Sequence, residues 1–207
     1  MLTLAHPWHG IDIGENAPDI LNAFIEIVPT DTVKYEIDKA SGFLKVDRPQ
    51  KYSSLCPALY GFIPKTICLD NVAQFSMEKT GLKGIEGDQD PMDICVLTER
   101  PINHAGIIVH ARPIGGFRLL DGGEADDKII AVMLNDAAYG SYQDIGDVPH
   151  PILDRLKHYF LTYKQNPNLS KEETQACTIE TIYGCDEAKT VIKMSMMDYE
   201  IYMKKQS

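Results

Sequence analysis

The segment 87–96 constrains this chain of 207 residues most, because it places three aspartates directly before an apolar run. Asp88, Asp90 and Asp93 lie within six residues, and the run that follows them is typical of a buried strand. On an extended chain, the side chains of Asp88 and Asp90 point to one face, about 7 Å apart at the backbone. Pro91 lacks a ladder hydrogen bond and turns the chain, so Asp93 can approach the first two aspartates.

Three carboxylates that converge in this way repel one another, and desolvation raises their pKa values. A hard divalent cation such as Mg²⁺ or Mn²⁺ relieves both penalties, because it binds oxygen ligands. The alternative is a solvated acidic turn, which an isolated D-x-D-P-x-D pattern favours over a metal site. Other segments of the chain therefore decide between the two interpretations.

Composition excludes several classes of protein. The net charge of −10 argues against a nucleic-acid partner, because there is no basic stripe to release counterions. No apolar run approaches the roughly 18 residues of a membrane span, and the N-terminus lacks the basic and apolar regions of a secretory signal. The five cysteines form no C-x-x-C pair, which favours a reducing cytoplasm over a disulfide framework. For an anionic ligand, a bound metal is the simplest source of positive charge.

The order of predicted elements indicates an α+β protein. Helices are predicted at 149–165 and about 186–205, with a short one starting near 170–173, and 66–87 is predicted as a weakly patterned connector. Strands followed by helices predict a mostly antiparallel, closed sheet with helices packed on its outside. We treat 1–207 as a single domain. Strands are predicted at 23–28, 33–37, 43–46, 60–64, 93–98, 106–112, 128–134 and 177–183.

Two further groups of polar residues lie near predicted strands. A second acidic, glycine-rich loop at 120–128 leads into an apolar strand, and such a loop is usually a solvated turn. The predicted hairpin places Lys34 and Glu36 on one face, and Arg48 follows at its end. By pattern alone this face is the solvent side of an antiparallel hairpin, and Tyr60 alone is a core residue.

Taken together, these segments carry a resemblance to a known family. The chain closely resembles the soluble family I inorganic pyrophosphatases, and the matches run in the same order from about residue 24 to 164. The D-x-D-P-x-D pattern alone is only moderately specific, but an ordered set of this kind does not arise by accident. The matching stretches are Ile25-Glu26-Ile27, Lys34-Tyr35-Glu36-Ile37-Asp38, Val46-Asp47-Arg48, Tyr60-Gly61-Phe62-Ile63, Gly87-Asp88-x-Asp90-Pro91-x-Asp93, Arg112-Pro113-x-Gly115, Asp121-x4-Asp126-x-Lys128 and Tyr163-Lys164.

The resemblance implies a five-stranded, OB-like β-barrel with its site in the mouth. It implies hydrolysis of pyrophosphate to two orthophosphates by a metal-activated water, with several Mg²⁺ ions per site and Mn²⁺ as an alternative. It also implies a homo-oligomer, with Asp90 as the general base and Glu26 in a supporting role. The implied metal ligands are Glu36, Asp88, Asp93, Asp121 and Asp126, with Asp93 bridging a metal pair. The implied substrate-binding residues are Lys34, Arg48, Tyr60, Lys128, Tyr163 and Lys164.

The chemistry of these residue types agrees with the implied activity. Two metal ions about 3.5–4 Å apart can share a water and lower its pKa from 15.7 to near neutrality. An arginine can form a bidentate fork to phosphate, whereas lysines act as point charges. Tyr163 and Lys164 lie at the C-terminal end of the predicted helix, so they would reach substrate by side chain and not through the helix dipole. Glu124 and Asp127 are expected to be solvated neighbours.

Two positions depart from the family pattern. Gln89 stands where the family usually has Gly, Ser or Asn, which would tighten the loop or shift Asp90. Cys56 stands where the family often has an aromatic residue, which puts one wall of the site in doubt. The connector 66–87 is longer than in compact bacterial members, which are commonly hexamers, and is similar to the eukaryotic type, commonly dimers. The subunit number therefore stays open.

Two alternative functions fit parts of the sequence. An OB-like barrel can hold metal and phosphate, or single-stranded nucleic acid, without chemistry. A nucleic-acid binder of this type needs a basic groove with stacking aromatics, whereas this chain is acidic. A phosphohydrolase acting on nucleotides is the second alternative, but neither a G-x-x-x-x-G-K-[ST] loop nor a G-x-S-x-G elbow occurs in the sequence.

Overall fold

The computed structural model describes residues 5–165, 168 and 177–206. The short helix expected near 170–173 lies outside these residues. The described helices are α1 (Asp70–Thr80), α2 (His150–Thr162) and α3 (Cys185–Gln206), with a 3₁₀ turn at Ile145–Asp147. The described strands are β1 (Leu21–Ile27), β2 (Val33–Ile37), β3 (Leu44–Pro49), β4 (Leu59–Phe62), β5 (Glu86–Gly87), β6 (Asp93–Leu97), β7 (Ile107–Asp121), β8 (Glu124–Ala125), β9 (Lys128–Met133) and β10 (Cys177–Gly184).

The strands form one large sheet and one small one. The large sheet has eight strands in the order β1-β4-β6-β9-β7-β8-β5, with β10 paired to β7 and an additional pairing of β1 with β7. Its β6–β9 and β5–β8 pairs are parallel, and its other pairs are antiparallel. The hairpin β2–β3 forms a separate sheet. The predicted α+β class and the predominance of antiparallel pairs are confirmed, and the sheet has more strands than the five expected.

The central strands β6 and β9 are buried on both faces. Along β6, Ile94 and Val96 lie in one apolar cluster while Cys95 and Leu97 lie in another. Successive strand residues point to opposite faces, so the two clusters lie on opposite sides of these strands. Helices α1 and α3 contribute to the first cluster, and α2 contributes to the second. This double burial explains why both strands read as continuous apolar runs, and it fixes the place of their first residues.

Helices α2 and α3, both predicted from the sequence, each bury one face with helical spacing. Leu153, Leu156 and Phe160 of α2 are buried. The buried residues of α3 include Ala188, Val191, Ile192, Ser195 and Tyr199. Among the residues that the structure describes, no helix has the combined length and apolar character needed to cross a membrane.

Strand β7 is much longer than predicted. The expectation that this strand ends at Arg112 is wrong, because β7 continues to Asp121. Its two central glycines do not break the strand but let β10 approach it closely. A Cβ on Gly115 would lie 2.4 Å from the carbonyl oxygen of Tyr183, and one on Gly116 would lie 2.5 Å from the Tyr183 ring. The glycines therefore mark a close approach of two backbones.

Helix α1 is absent from the sequence-based prediction, which assigned 66–87 to a connector. Its buried residues are only Val72, Ala73 and Ser76, a narrow face that gives a weak periodic pattern. Its N-cap residue, Leu69, provides no side-chain hydrogen bond to the free N–H groups of the first turn. A clear apolar stripe and a side-chain N-cap are therefore both missing from this segment, although Gly81 provides a left-handed C-cap.

The cap of α1 comes from the other end of the chain. The carboxylate of Asp198 on α3 accepts the backbone N–H groups of Leu69 at 2.9 Å, Asn71 at 3.0 Å and Val72 at 3.2 Å. The backbone N–H of Ile67 also donates to the carbonyl of Ser195 on α3, at 3.1 Å. A buried carboxylate with several N–H donors at a helix N-terminus satisfies both the hydrogen bonds and the helix dipole.

We expect the substitution Asp198→Asn to destabilise the protein by about 1–3 kcal/mol, because the amide turns N–H donors toward backbone donors and removes the charge. Urea denaturation measures this loss. The control is Glu200→Gln on the exposed face of the same helix, which should change stability by no more than about 0.5 kcal/mol. Equal stability of the two variants would contradict the capping role of Asp198.

Candidate functional site

A cleft of about 490 Å³ opens where β6 and β9 begin. It contains eleven of the thirteen residues that the sequence predicts for a site. Arg48 and Asp121 do not border the cleft, although each belongs to a chain of ion pairs that reaches it. The eleven lining residues are Glu26, Lys34, Glu36, Tyr60, Asp88, Asp90, Asp93, Asp126, Lys128, Tyr163 and Lys164.

Parallel pairing of β6 with β9 builds the floor of the cleft. It places Asp93 opposite Lys128, the first residue of each strand. Lys128 is 2% exposed, and its ammonium contacts the carboxylates of both Asp93 and Asp126. The hydroxyl of Tyr60 donates to Asp93 at 2.5 Å, and the Lys128 ammonium lies 5.7 Å from the centre of the Phe160 ring. Phe160, which the sequence analysis did not assign to the site, therefore helps to hold a buried cation.

The aspartate loop before β6 is held by backbone geometry. Asp88 accepts the N–H of Asp90 at 2.9 Å, and the backbone N–H of Cys68 donates to the carbonyl of Asp90 at 2.9 Å. Gln89 lies between them with φ of 62°, a conformation that favours Gly or Asn. Gln89, which departs from the family pattern, thus occupies a strained backbone position, and the loop still forms its turn. The carboxylate of Asp90 is half-exposed and pairs with the ammonium of Lys39.

The hairpin β2–β3 borders the cleft and carries both positively and negatively charged side chains there. Lys34 contacts Glu36 at 3.2 Å and Asp47 at 3.0 Å, and Asp47 also contacts Arg48. Lys34 and Glu36, which pattern alone assigns to the solvent side of a hairpin, both line the cleft and are partly exposed there. Arg48 follows Asp47 on β3 and does not border the cleft.

The end of α2 closes another side of the cleft. Tyr163 caps the helix, and Lys164 follows it and contacts the carboxylate of Asp121 at the end of β7. The second carboxylate oxygen of Asp121, Oδ1, is buried and has no hydrogen-bond partner among the described residues. Asp121 therefore carries an acceptor that the folded chain leaves unsatisfied, which is costly in a buried place.

Burial raises the pKa values of three carboxyl groups in the cleft. The pKa of Asp88 is raised to about 9, by burial first and then by the charge of Asp126. The pKa of Glu26 is raised to about 8 by burial, although its Oε1 accepts the N–H of Ile37 at 2.7 Å. Burial also raises the pKa of Asp126, to about 6. The ionised form of these groups is thus disfavoured unless a cation approaches them.

The charges that line the cleft balance near neutral pH. Its seven carboxyl groups face five lysines, and protonation of Glu26 and Asp88 leaves five carboxylates opposite the five ammonium groups. As the side chains stand, no three His, Cys, Asp or Glu residues in the described part of the chain are arranged to hold a metal ion. The physical reason is that Lys128, Lys164 and Lys39 already contact the carboxylates.

Sequence reasoning missed several residues that shape the site. Lys39 and Asp47 lie within or beside stretches that match the family, but neither was assigned a role. The expectation that Asp127 is solvated is wrong: it is 2% exposed and forms an ion pair with the buried Arg118. Glu124 is exposed, as expected. Cys56 is buried in the cluster beneath α2 and does not border the cleft, so its departure does not remove a wall.

Comparisons with known proteins agree with one another. A family model described as inorganic pyrophosphatase matches residues 23–200. The inorganic pyrophosphatase of Chlamydia muridarum is 49% identical over 199 residues, which cover 96% of this chain and 95% of that protein. The Chlamydia caviae protein of the same name is also 49% identical, over 96% of this chain and 92% of its own length. The crystal structure of inorganic pyrophosphatase from Thermus thermophilus is similar with a TM-score of 0.78 and 27% identity, over 95% of this chain and 99% of that one.

The raised pKa of Glu26 predicts a pH-dependent effect on stability. The folded-state pKa of about 8 lies above the ordinary value of 4.5, so the free energy of unfolding falls as pH rises between these values. Glu26→Gln keeps an oxygen for the Ile37 N–H and cannot ionise. Relative to wild type, we expect this variant to gain on the order of 1–3 kcal/mol between pH 5 and pH 9.

Urea denaturation in EDTA at both pH values measures this gain. Because the other acidic groups are common to both proteins, the difference isolates Glu26. The control Glu200→Gln should show the same offset from wild type at both pH values. A pH-independent offset for Glu26→Gln would contradict the raised pKa.

Proposed function

Since the chain belongs to the family of inorganic pyrophosphatases, hydrolases that act on pyrophosphate, we propose that it hydrolyses pyrophosphate with Mg²⁺ by direct attack of water on phosphorus. The observation that carries this proposal is the composition of the cleft, in which carboxylates and lysines alternate in contact with one another. Such a mixture suits a polyanion that arrives with divalent cations, because each partner neutralises the other's charge.

The side chains fit a hard divalent cation. The donors are carboxylates, the ligands that Mg²⁺ prefers, and burial raises the pKa values of Asp88 and Asp126, so an added cation would favour their ionised forms. The unsatisfied Oδ1 of Asp121 is an available acceptor of the same kind. Bound Mg²⁺ would supply positive charge that favours ionisation of a water and neutralises phosphate oxygens, with Mn²⁺ as an alternative. The residues that would hold Mg²⁺ are Glu36, Asp88, Asp93, Asp121 and Asp126, and Glu26 would support them.

The basic residues of the cleft would bind the phosphate groups. Lys34, Lys128 and Lys164 each contact a carboxylate, so they become free for phosphate only when those carboxylates are neutralised in another way. Arg48 offers a planar fork for bidentate binding, and the hydroxyls of Tyr60 and Tyr163 complete the set. Pyrophosphate affinity should therefore depend strongly on the divalent cation.

Asp90 is the proposed general base. Its carboxylate is half-exposed at the rim of the cleft and pairs with a surface lysine, whereas Asp88 and Asp93 are more buried. A carboxylate with one mobile partner can turn to accept a proton from water. The neighbouring aspartates are better suited to stay fixed, because backbone and buried side chains hold them.

Wider features of the protein are also proposed. The pairings β1–β4, β4–β6, β6–β9, β9–β7 and β7–β1 return to their starting strand, which supports an OB-like closed barrel of five strands. We propose that residues 1–207 form one domain, that the protein is a homo-oligomer, and that it acts in the cytoplasm. All five cysteines are free thiols, in keeping with a reducing compartment.

The direct test is phosphate release from pyrophosphate and from ATP, each with Mg²⁺ and with EDTA. We expect rapid release from pyrophosphate with Mg²⁺, little release from ATP, and none above background in EDTA. Faster release from ATP would favour a nucleotide phosphohydrolase. Binding of pyrophosphate without release would favour a binding module.

The substitution Asp90→Asn should lower kcat about 10²–10⁴-fold, as expected when a general base is lost. Mg²⁺ binding, followed by the shift of the melting temperature, should persist. The matched control is Lys39→Gln, which breaks the same ion pair but keeps the carboxylate. Its kcat should fall less than about tenfold. Near-normal turnover of Asp90→Asn would remove this residue from its role.

A further inference from the structure

A buried ion pair lies directly behind the second acidic loop. Asp127 accepts Nη2 of Arg118 at 3.1 Å and Nε at 3.3 Å, and the hydroxyl of Tyr183 donates to the same carboxylate at 2.9 Å. Arg118 and Asp127 are 1% and 2% exposed. The guanidinium also lies 5.0 Å from the centres of the Phe75 and Tyr183 rings. Both charges are thus enclosed by partners from β7, β10 and α1.

One member of the ion pair, Asp127, lies between two cleft residues in the chain. Asp126 and Lys128 flank Asp127 in the chain, and their side chains contact each other in the cleft while that of Asp127 points into the core. Arg118 follows Phe117, which pairs with Lys128 across β7 and β9. The backbone N–H of Asp126 donates to Leu119 at 2.9 Å, so both sides of Arg118 are tied to this segment.

We propose that the Arg118–Asp127 pair is a positioning device that orients Asp126 for divalent cations and Lys128 for phosphate. The inference rests on the proposed function of the cleft. A rotation of the chain at Asp127 would turn its two neighbours away from the cleft, since adjacent side chains point to opposite sides of an extended segment. A multidentate contact resists such rotation better than an apolar side chain of the same size, which has no preferred hydrogen-bond direction.

Stability alone does not account for the pair. Replacement of buried ion pairs by apolar residues is often neutral or stabilising, because two charges must be desolvated. A buried pair at this place is therefore better explained by the geometry it imposes. Glu187 on α3 adds a second carboxylate 3.2 Å from Arg118 Nη1, but Nη1 has no hydrogen-bond partner among the described residues. The direction of the guanidinium is therefore set by its hydrogen bonds to Asp127.

The test compares Asp127→Asn with a matched variant at the other end of the same strands. Asp136 is 8% exposed and accepts the N–H groups of Glu99 and Tyr139 at 2.8 Å each, beyond the ends of β6 and β9 that lie away from the cleft. Asp136→Asn makes the same chemical change in a buried carboxylate remote from the cleft. Both variants should lose stability, and each is assayed at an equal interval below its own melting temperature.

We expect Asp127→Asn to lower kcat/KM for pyrophosphate about 10–100-fold and to weaken the apparent affinity for Mg²⁺ by a similar factor. The affinity is read from the Mg²⁺ dependence of the melting temperature. Asp136→Asn should keep both values near those of wild type. If Asp127→Asn does not fold, Arg118→Lys replaces it, since it keeps the charge and loses the fork, and the same two changes are expected.

Wild-type values of kcat/KM and Mg²⁺ affinity in the tested variant would overturn the inference, as would equal losses in Asp136→Asn. If wild type itself does not release phosphate from pyrophosphate, the proposed function fails, and the Mg²⁺ titrations of the two variants still decide the positioning role. A wild-type protein whose melting temperature ignores Mg²⁺ overturns the inference as well.

Discussion

Mutual repulsion among carboxylates in one enclosed space is the constraint on which this structure depends. Asp88, Asp93 and Asp126 share a cleft in which burial disfavours the charged forms of Asp88 and Asp126, and charges interact more strongly there than in water. The parallel pairing of β6 and β9 brings a buried ammonium, that of Lys128, between two of them. Protonation of carboxylates neutralises the remaining excess of negative charge. Protons and lysine contacts thus offset the negative charge of the folded chain without added cations. Divalent ions can replace both the protons and the lysine contacts.

The site is assembled from segments that are far apart in the chain and anchored separately. Strands β6 and β9 are fixed by apolar clusters on both faces. The hairpin β2–β3 is attached through the buried carboxyl of Glu26, which accepts the N–H of Ile37. The last turn of α2 is anchored by Phe160, which also faces the Lys128 ammonium. Because each segment has its own anchor, the charged groups need not hold the fold together.

Local sequence patterns predict the parts of this molecule whose cause is local. The runs that became β6 and β9, and the apolar faces of α2 and α3, follow from periodicity. The residues of the cleft were predicted because acidic pairs next to strands, together with the ordered matches, indicate one kind of site. Helix α1 was missed because its cap, Asp198, lies far along the chain. Asp127 was misassigned because only the fold brings Arg118 behind it, and β7 was cut short because its glycines serve contact with Tyr183.

The cap provided by Asp198 has a consequence for biosynthesis. Residues 67–69 lie between α3, which binds them through Ser195 and Asp198, and the aspartate loop, which binds Cys68 through Asp90. A ribosome makes α3 long after α1 and the aspartate loop. The backbone N–H groups at the start of α1 therefore lack their acceptor until α3 has left the exit tunnel, and a nascent chain arrested before that point would lack the cap of α1.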